Sequence, residues 1–302
     1  MGFVLFLLLG TMSLGINFAS EPKPAFTHFE FGSFSNPSIS EPDLLAITKG
    51  QRTLNDWPFF AALFYEDFSK TNPICGGVLI STRHVLTAAH CFGESRWISK
   101  EYAGKFWLEL GLTDTKRKNG KVLKIKKILI HQGYQLLGYP QAPYNDLAIL
   151  LLHQEVDSKP VNLPSDSLRL LHEKILVRGF GATNAKYALI QPNYTPKLPR
   201  HLQETTLLVE NPKRCAPRDK RVDHSMLCTM EILPGSQTCL GDSGGPAIFM
   251  QNQTPYLIGL VSWSPKGRCA KGDPNFLVKI SHFLPWIYSM QNYLDRSYGS
   301  SE

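Results

Sequence analysis

Three short motifs contain side chains that together suit acyl transfer: His90 in TAAHC, Asp146 in YNDLAI and Ser243 in GDSGGP. A serine hydroxyl is a weak nucleophile at neutral pH, so a base must accept its proton, and histidine titrates in the right range. The imidazole needs a buried carboxylate that fixes its tautomer and stabilises its charged form. Each motif alone also fits a structural histidine, a turn-capping aspartate or a tight loop. Their joint occurrence in this order predicts a catalytic triad.

The glycines around Ser243 meet a further requirement of acyl transfer. Negative charge grows on the attacked carbonyl oxygen and must be met by preorganised hydrogen-bond donors. A glycine-rich turn can direct backbone N–H groups at one point, because glycine has no Cβ and tolerates unusual φ and ψ angles. The turn at Gly241 is therefore expected to provide these donors.

The elements that position these residues are predicted to be mostly short strands. From Ile47 onward, short apolar runs rich in β-branched residues are broken by Gly, Pro, Asn and Asp. The predicted strands are 59–64, 77–80, 106–110, 122–130, 147–152, 174–177 and 257–263. Many short strands indicate barrels or a sandwich. The apolar residues of 280–294 have helical spacing, with Ser281 as the expected N-cap and Pro285 in the first turn.

Length, composition and the N-terminal segment indicate the size and the compartment of the protein. The chain has 302 residues, a net charge of +7, 43% hydrophobic and 19% charged residues, so it is long enough for one large or two small folded domains. Phe3–Leu9 is a short uncharged apolar block that precedes small residues near position 19. This pattern predicts a signal peptide over 1–19 and a secreted protein, the alternative being an N-terminal membrane anchor. No later apolar run predicts a membrane span.

Six cysteines fit an oxidising compartment, since an even count in a secreted chain indicates disulfides. The count alone leaves their pairing open. The cysteines form no CxxC pair and no Cys/His group at zinc spacing, so we expect neither a metal nor another cofactor. Asn193 and Asn252 begin N-glycosylation sequons.

These motifs give the chain a resemblance to the chymotrypsin/trypsin-type serine proteases, over about 47–286. The landmarks Trp57-Pro58, GFG at 179–181 and VSW at 261–263 add to TAAHC and GDSGGP. The resemblance implies an all-β fold of two packed antiparallel six-stranded barrels with a C-terminal helix. The first barrel would span about 47–156 and carry the histidine and aspartate. The second barrel and the helix would span about 157–302 and carry the serine.

The resemblance also implies which cysteines pair and which donors face the oxyanion. The implied disulfides are Cys75–Cys91, Cys215–Cys228 and Cys239–Cys269. The oxyanion hole would consist of the N–H groups of Gly241 and Ser243.

Ile47 resembles the mature N-terminus of such enzymes, which makes 20–46 a pro-segment and the precursor a zymogen. In the family the new α-ammonium pairs with the acid before the nucleophile, here Asp242. Ala46 precedes Ile47 where most relatives have Arg or Lys. We therefore expect activation by a non-tryptic protease or by the enzyme itself. The alternative is that Ile47 is not the processed end.

The resemblance implies that Gln237, counted back from Ser243, lies at the floor of the specificity pocket. Ser262, Trp263, Ser264 and Asn275 are the expected remaining residues of the substrate site. A buried lysine or arginine side chain would need a carboxylate at the floor, which the glutamine does not supply. The expected preference is for small or medium uncharged P1 residues.

Seven cations lie in twelve residues without an acid among them: Lys116, Arg117, Lys118, Lys121, Lys124, Lys126 and Lys127. This segment favours either a docking surface for an anionic partner or a solvated strand and loop. No acid pair between 115 and 131 suits the calcium that some relatives bind there. A secreted chain without a recognition module gives no reason to expect nucleic acid.

The leading hypothesis is a secreted serine endopeptidase made as a zymogen. Its expected partners are protein or peptide substrates, an activating protease and serine protease inhibitors. The competing hypothesis is a catalytically silent homologue that binds or regulates. The segment 183–200 has no family counterpart and is interpreted as an access-controlling loop or a glycosylated insertion.

Overall fold

The computed structural model describes residues 50–53, 57–66, 72–93, 98–137, 142–165, 168–183, 198–215, 221–265, 269 and 271–298. The expected signal peptide, the pro-segment, Ile47, Asn193 and most of the segment 183–200 lie outside these residues.

Short strands dominate the regular structure, as the apolar runs predict. In chain order they are β1 (Gln51–Arg52), β2 (Phe60–Tyr65), β3 (Cys75–Leu79), β4 (His84–Thr87), β5 (Phe106–Leu110), β6 (Lys121–Ile130), β7 (Gln135–Leu137), β8 (Ala142–Tyr144), β9 (Ala148–Leu152), β10 (Lys174–Gly179), β11 (Gln203–Glu210), β12 (Met226–Glu231), β13 (Pro246–Gln251), β14 (Thr254–Trp263) and β15 (Asn275–Lys279). The α-helices are α1 (Lys100–Ala103), α2 (Pro212–Cys215) and α3 (Ile280–Tyr298), and a 3-10 turn covers Ala89–Phe92.

The first barrel closes in the antiparallel order β2-β3-β4-β9-β6-β5. β9 is buried at all of its positions, which explains its uninterrupted apolar sequence AILLL. Phe60, Leu63, Leu86 and Leu108 are almost completely buried in the same core. Burial of each such side chain contributes roughly 1.5–3 kcal/mol relative to exposure. Closure leaves this barrel no free strand edge.

The second barrel is a ring of six strands in the order β11-β10-β13-β14-β15-β12, closed by pairing of β12 with β11. The short strand β1 adds to the outside of β11. The all-β prediction with two six-stranded barrels and a C-terminal helix is confirmed. The chain passes from one barrel to the other between β9 and β10.

Helix α3 extends further at its C-terminus than the sequence predicts, since it ends at Tyr298 rather than Leu294. It also begins at Ile280, so Ser281 lies inside the helix and is not its N-cap. Pro285 consequently lies in the second turn and not in the first. The reason is tertiary packing, because the helix follows directly on β15 and Ile280 is completely buried.

Three disulfides hold loops of both barrels: Cys75–Cys91, Cys215–Cys228 and Cys239–Cys269. This is the pairing that the resemblance implies. The first joins β3 to the 3-10 turn that carries His90. On the chain-entropy model each closure contributes roughly 3–4 kcal/mol to stability.

Candidate active site

Pairing of β4 with β9 brings His90 and Asp146 together. Thr87 lies opposite Ala148, so the turn after β4 meets the residue that lies two positions before β9. His90 Nδ1 is 2.7 Å from Asp146 Oδ2, and the backbone N–H of His90 donates to Oδ1 at 2.9 Å. Both carboxylate oxygens are therefore engaged, and the second imidazole nitrogen, Nε2, is left for another partner.

Asp146 remains charged although it is almost completely buried. Burial by itself would raise its pKa, but the charge of His90 and hydrogen bonds from His90 and Ser262 lower it overall. Burial would likewise lower the pKa of His90, and Asp146 reverses this and raises it above 6.5. The pair is therefore arranged to stabilise an imidazolium.

Ser262 has a different role from the one its sequence position suggests. Its Oγ donates to Asp146 Oδ2 at 2.6 Å, so the side chain supports the aspartate from the second barrel. The expected placement in the substrate pocket thus fits its backbone position on β14 but not its hydroxyl.

Close backbone packing holds the Ser243 loop beside the His90 turn. The carbonyl of Ser243 accepts from the N–H of Gly76 at 2.7 Å, and the N–H of Gly244 donates to Val261 at 2.7 Å. A Cβ on Gly244 would lie 2.5 Å from the Gly76 carbonyl oxygen and 2.8 Å from the Ala88 nitrogen. Only glycine lets the two segments approach this closely, which brings the serine loop against residues just before His90.

The loop before Ser243 forms a tight turn. Gly241 has a φ of 97°, a conformation that favours glycine. The N–H of Asp242 donates to Cys239 and that of Gly245 donates to Asp242, both at 2.9 Å. In the part of the chain that the structure describes, the N–H groups of Gly241 and Ser243 donate to no backbone carbonyl.

Asp242 is completely buried, and among the described residues its carboxylate is hydrogen-bonded to backbone groups. Its two carboxylate oxygens accept from the N–H groups of Gly181 and Cys239, each at 2.8 Å. A Cβ on Gly179 or Gly181 would collide with this carboxylate, which explains the glycines of the GFG landmark. Burial raises the pKa of Asp242 to about 7, although the two hydrogen bonds act against the shift.

The predicted pocket-floor residue Gln237 is completely buried. Its Nε2 donates to the Asp273 carbonyl at 2.9 Å and lies 3.4 Å from Glu231 Oε2. That carboxylate also accepts from the N–H of Gly235. Sequence reasoning missed Glu231 and Asp273, because no motif marks them.

Asn275, the predicted pocket wall, is also completely buried. Its Oδ1 accepts from Thr238 Oγ1 at 2.7 Å. Trp263 stacks on Phe276, with ring centroids 4.6 Å apart. Ser264 follows Trp263 and is partly exposed. The structure thus fills this region with amide and hydroxyl groups and leaves little room beside the asparagine.

The cations of the basic segment 116–127 differ in exposure and in their contacts. Lys118 lies over the Phe64 ring at 4.0 Å, where burial lowers its pKa. Lys126 Nζ donates to the Tyr298 carbonyl, and Arg117 lies 3.7 Å from Asp114. The exposed cations on β6 are Lys121 and Lys124.

Among the described residues, three metal-ligating side chains come within reach of one another at Cys75, His90 and Cys91. Both sulfurs belong to one disulfide, so they cannot act as thiolate ligands. The described residues contain no helix with the length and apolarity needed to cross a bilayer.

Comparisons with known proteins identify the family and support the fold. A sequence model of the trypsin family matches residues 47–287, so the chain belongs to the trypsin family of serine proteases. Among solved structures it resembles neuropsin, a serine protease expressed in the limbic system of mouse brain. The TM-score is 0.64 at 24% identity, over 80% of this chain and 99% of neuropsin, a likeness that supports the fold.

Proposed function

We propose that this chain is a secreted serine endopeptidase that acts through Ser243, His90 and Asp146. The observation that carries the proposal is the buried Asp146 carboxylate with hydrogen bonds to His90 Nδ1, the His90 N–H and Ser262 Oγ. This arrangement fixes the tautomer in which Nε2 can accept a proton.

In the proposed mechanism Ser243 Oγ attacks the carbonyl carbon of a peptide bond while His90 Nε2 takes the hydroxyl proton. The resulting oxyanion accepts from the N–H groups of Gly241 and Ser243. His90 then gives its proton to the leaving amine, and an acyl-enzyme remains. Water, deprotonated by His90, attacks the ester, and collapse of the second intermediate releases the acid and restores Ser243.

The proposed zymogen mechanism rests on Asp242. Asp242 is completely buried and its pKa is raised to about 7, so its ionised form would be strongly stabilised by a positive charge beside it. The α-ammonium released by cleavage between Ala46 and Ile47 would supply that charge and hold the turn at Gly241. N-terminal sequencing of the active secreted form tests this step, and a start other than Ile47 removes it.

The proposed substrates carry small or medium uncharged P1 residues. Support comes from the neutral, buried amides of Gln237 and Asn275 at the expected floor and wall. Glu231 is close to Gln237, but it already accepts from Gly235 and Gln237. The Glu231 carboxylate is therefore already hydrogen-bonded and is not available to pair with a lysine or arginine side chain.

Two surface features of the proposed secreted enzyme follow from exposure. Asn252 lies in the exposed turn between β13 and β14, where a glycan is sterically accommodated, with a φ of 48°. Lys116, Arg117, Lys121 and Lys124 are the exposed cations of segment 116–127, and we propose that the two lysines on β6, Lys121 and Lys124, contact an anionic partner. Heparin-column retention that falls with salt, and is lost when both lysines are neutralised, tests this docking surface. Serine protease inhibitors would occupy the same cleft as substrate.

Hydrolysis of peptide substrates by the processed chain tests the proposed activity. Ser243→Ala and His90→Ala are expected to abolish turnover, while Ser300→Ala, a serine near the C-terminus, retains it. The proposed mechanism would be contradicted if both active-site variants were as active as the parent. A processed parent that binds peptides without cleaving them would instead identify a silent homologue.

A further inference from the structure

His224 and His282 place two imidazoles against each other, and neither belongs to the candidate triad. Their ring centroids are 4.9 Å apart, the planes meet at 77°, and both side chains are exposed. His224 lies just before β12, and His282 lies in the first turn of α3, just after β15.

The backbone that carries the two rings is fixed. In the antiparallel pair β12–β15, Met226 lies opposite Val278, and the N–H of Lys279 donates to the Ser225 carbonyl at 2.9 Å. His224 lies two residues before this paired region of β12 and His282 lies three residues after the end of β15, so both are attached to paired barrel strands.

The separation of the rings agrees with joint coordination of one metal ion. An imidazole nitrogen binds zinc at about 2.0–2.1 Å, which puts the ring centroid about 3.2 Å from the metal. At a tetrahedral angle two such centroids lie about 5 Å apart. The observed centroid separation of 4.9 Å is close to this value.

We propose that His224 and His282 form a surface site for a divalent transition-metal ion, zinc in the first instance, with water completing the coordination. Imidazole is a preferred ligand of zinc, copper and nickel. The described residues bring no third ligating atom into the same tight group, so the protein supplies two ligands. The two histidines are far apart in the sequence, which is why motif spacing predicts no metal here.

Charged side chains of both signs lie near His282. Burial, then His224 and Lys279, lowers the pKa of His282, while the Asp223 carboxylate acts in the opposite direction. Asp223 Oδ1 accepts from both the N–H and the hydroxyl of Ser225, so this carboxylate is held beside the pair.

His131 is near this pair but does not join it. Its Nδ1 accepts from the N–H of Gly133 at 3.1 Å, and its ring packs on Phe283 and Trp286 at 5.4 and 4.9 Å. Its pKa is lowered by burial and by His282. The ring serves to pack helix α3 against the first barrel.

Zinc titration of the full-length chain against a competing fluorescent chelator tests the site at pH 7.5. His224→Ala and His282→Ala should each weaken zinc affinity at least tenfold, and the double variant should lose no more than either. The control His153→Ala, which removes another exposed histidine, should bind as the parent does. Melting curves without zinc should match the parent, because both side chains are exposed. Parental zinc affinity in the double variant would overturn the proposal.

Discussion

The Asp146 carboxylate receives three hydrogen bonds, two from His90 and one from Ser262, and has no exposed oxygen to exchange them for water. Its negative charge raises the pKa of His90 above 6.5. A base must be neutral to accept a proton, so activity should rise with pH through a midpoint above 6.5. At the residue scale, the proposed chemistry therefore depends on the charge of one buried side chain.

Asp146→Asn should keep the fold and lose most of the activity. The amide can accept from His90, but it offers no negative charge and favours the wrong imidazole tautomer. We expect kcat to fall by about 10⁴-fold with KM little changed, measured on a peptide substrate. As a control, Ser262→Ala removes one of the three hydrogen bonds and should cost far less. A kcat for Asp146→Asn within tenfold of the parent would contradict the assigned role.

Asn275→Gly should broaden the P1 preference. The asparagine side chain is completely buried beside Thr238, so its removal opens space at the pocket wall. We expect kcat/KM for aromatic P1 substrates to rise at least tenfold relative to alanine P1, measured with a matched peptide panel. Unchanged ratios would show that Asn275 does not line the pocket.

At the scale of elements, the positions of the chemistry are set by strand pairing and by glycine. The register Thr87 opposite Ala148 brings His90 to Asp146, and Gly244 lets the serine loop reach the same place. The short strands around them are stable because both barrels close and bury their apolar residues. Helix α3 packs on the first barrel through Phe283, Ile287 and Leu294.

Ile287→Ala should destabilise the protein by about 2–5 kcal/mol, because it leaves a cavity under α3. The parent side chain is completely buried, whereas the neighbouring Tyr288 is half exposed. Tyr288→Ala is the matched control and should change stability by less than about 0.5 kcal/mol. Urea denaturation of both variants measures the difference. Equal losses would show that the helix is not anchored as described.

The sequence predicts the strands whose apolar runs are uninterrupted, such as β9, and it misses strands whose sequences are mixed. β11 reads QETTLLVE and alternates between buried and partly exposed positions, a pattern that the search for apolar runs passes over. The active-site motifs can be recognised in the sequence because their side chains are chemically specific. The contact between Glu231 and Gln237 cannot be recognised there, because it depends on the folding of a loop that contains no motif.

At the scale of the whole molecule, we propose that Asp242 couples the new N-terminus of the processed chain to the candidate site. Its pKa is raised to about 7 in the folded chain and is near 3.8 for an unperturbed carboxyl. The folded state therefore binds the proton more tightly than the unfolded state does. This contribution to stability is fully present below about pH 4 and is lost as pH rises through about 7.

Uncut chain should show this loss directly. When the pH rises from 4 to 7.5, ionisation of Asp242 should lower the free energy of unfolding by about 4 kcal/mol. Asp242→Asn, which cannot ionise, should lack that component, and the difference between the two pH profiles isolates it from other carboxyls. The Ser243→Ala background prevents self-cleavage during the measurement. Parallel profiles would show that the carboxylate finds another cation in the uncut chain.

The proposed hydrolase is tested most directly by covalent labelling of the processed chain with a fluorophosphonate, followed by peptide mapping. The activated hydroxyl should react with the phosphorus, so we expect one label on Ser243, and none in the His90→Ala variant. An unlabelled Ser243 in protein whose N-terminus is Ile47 would contradict the account.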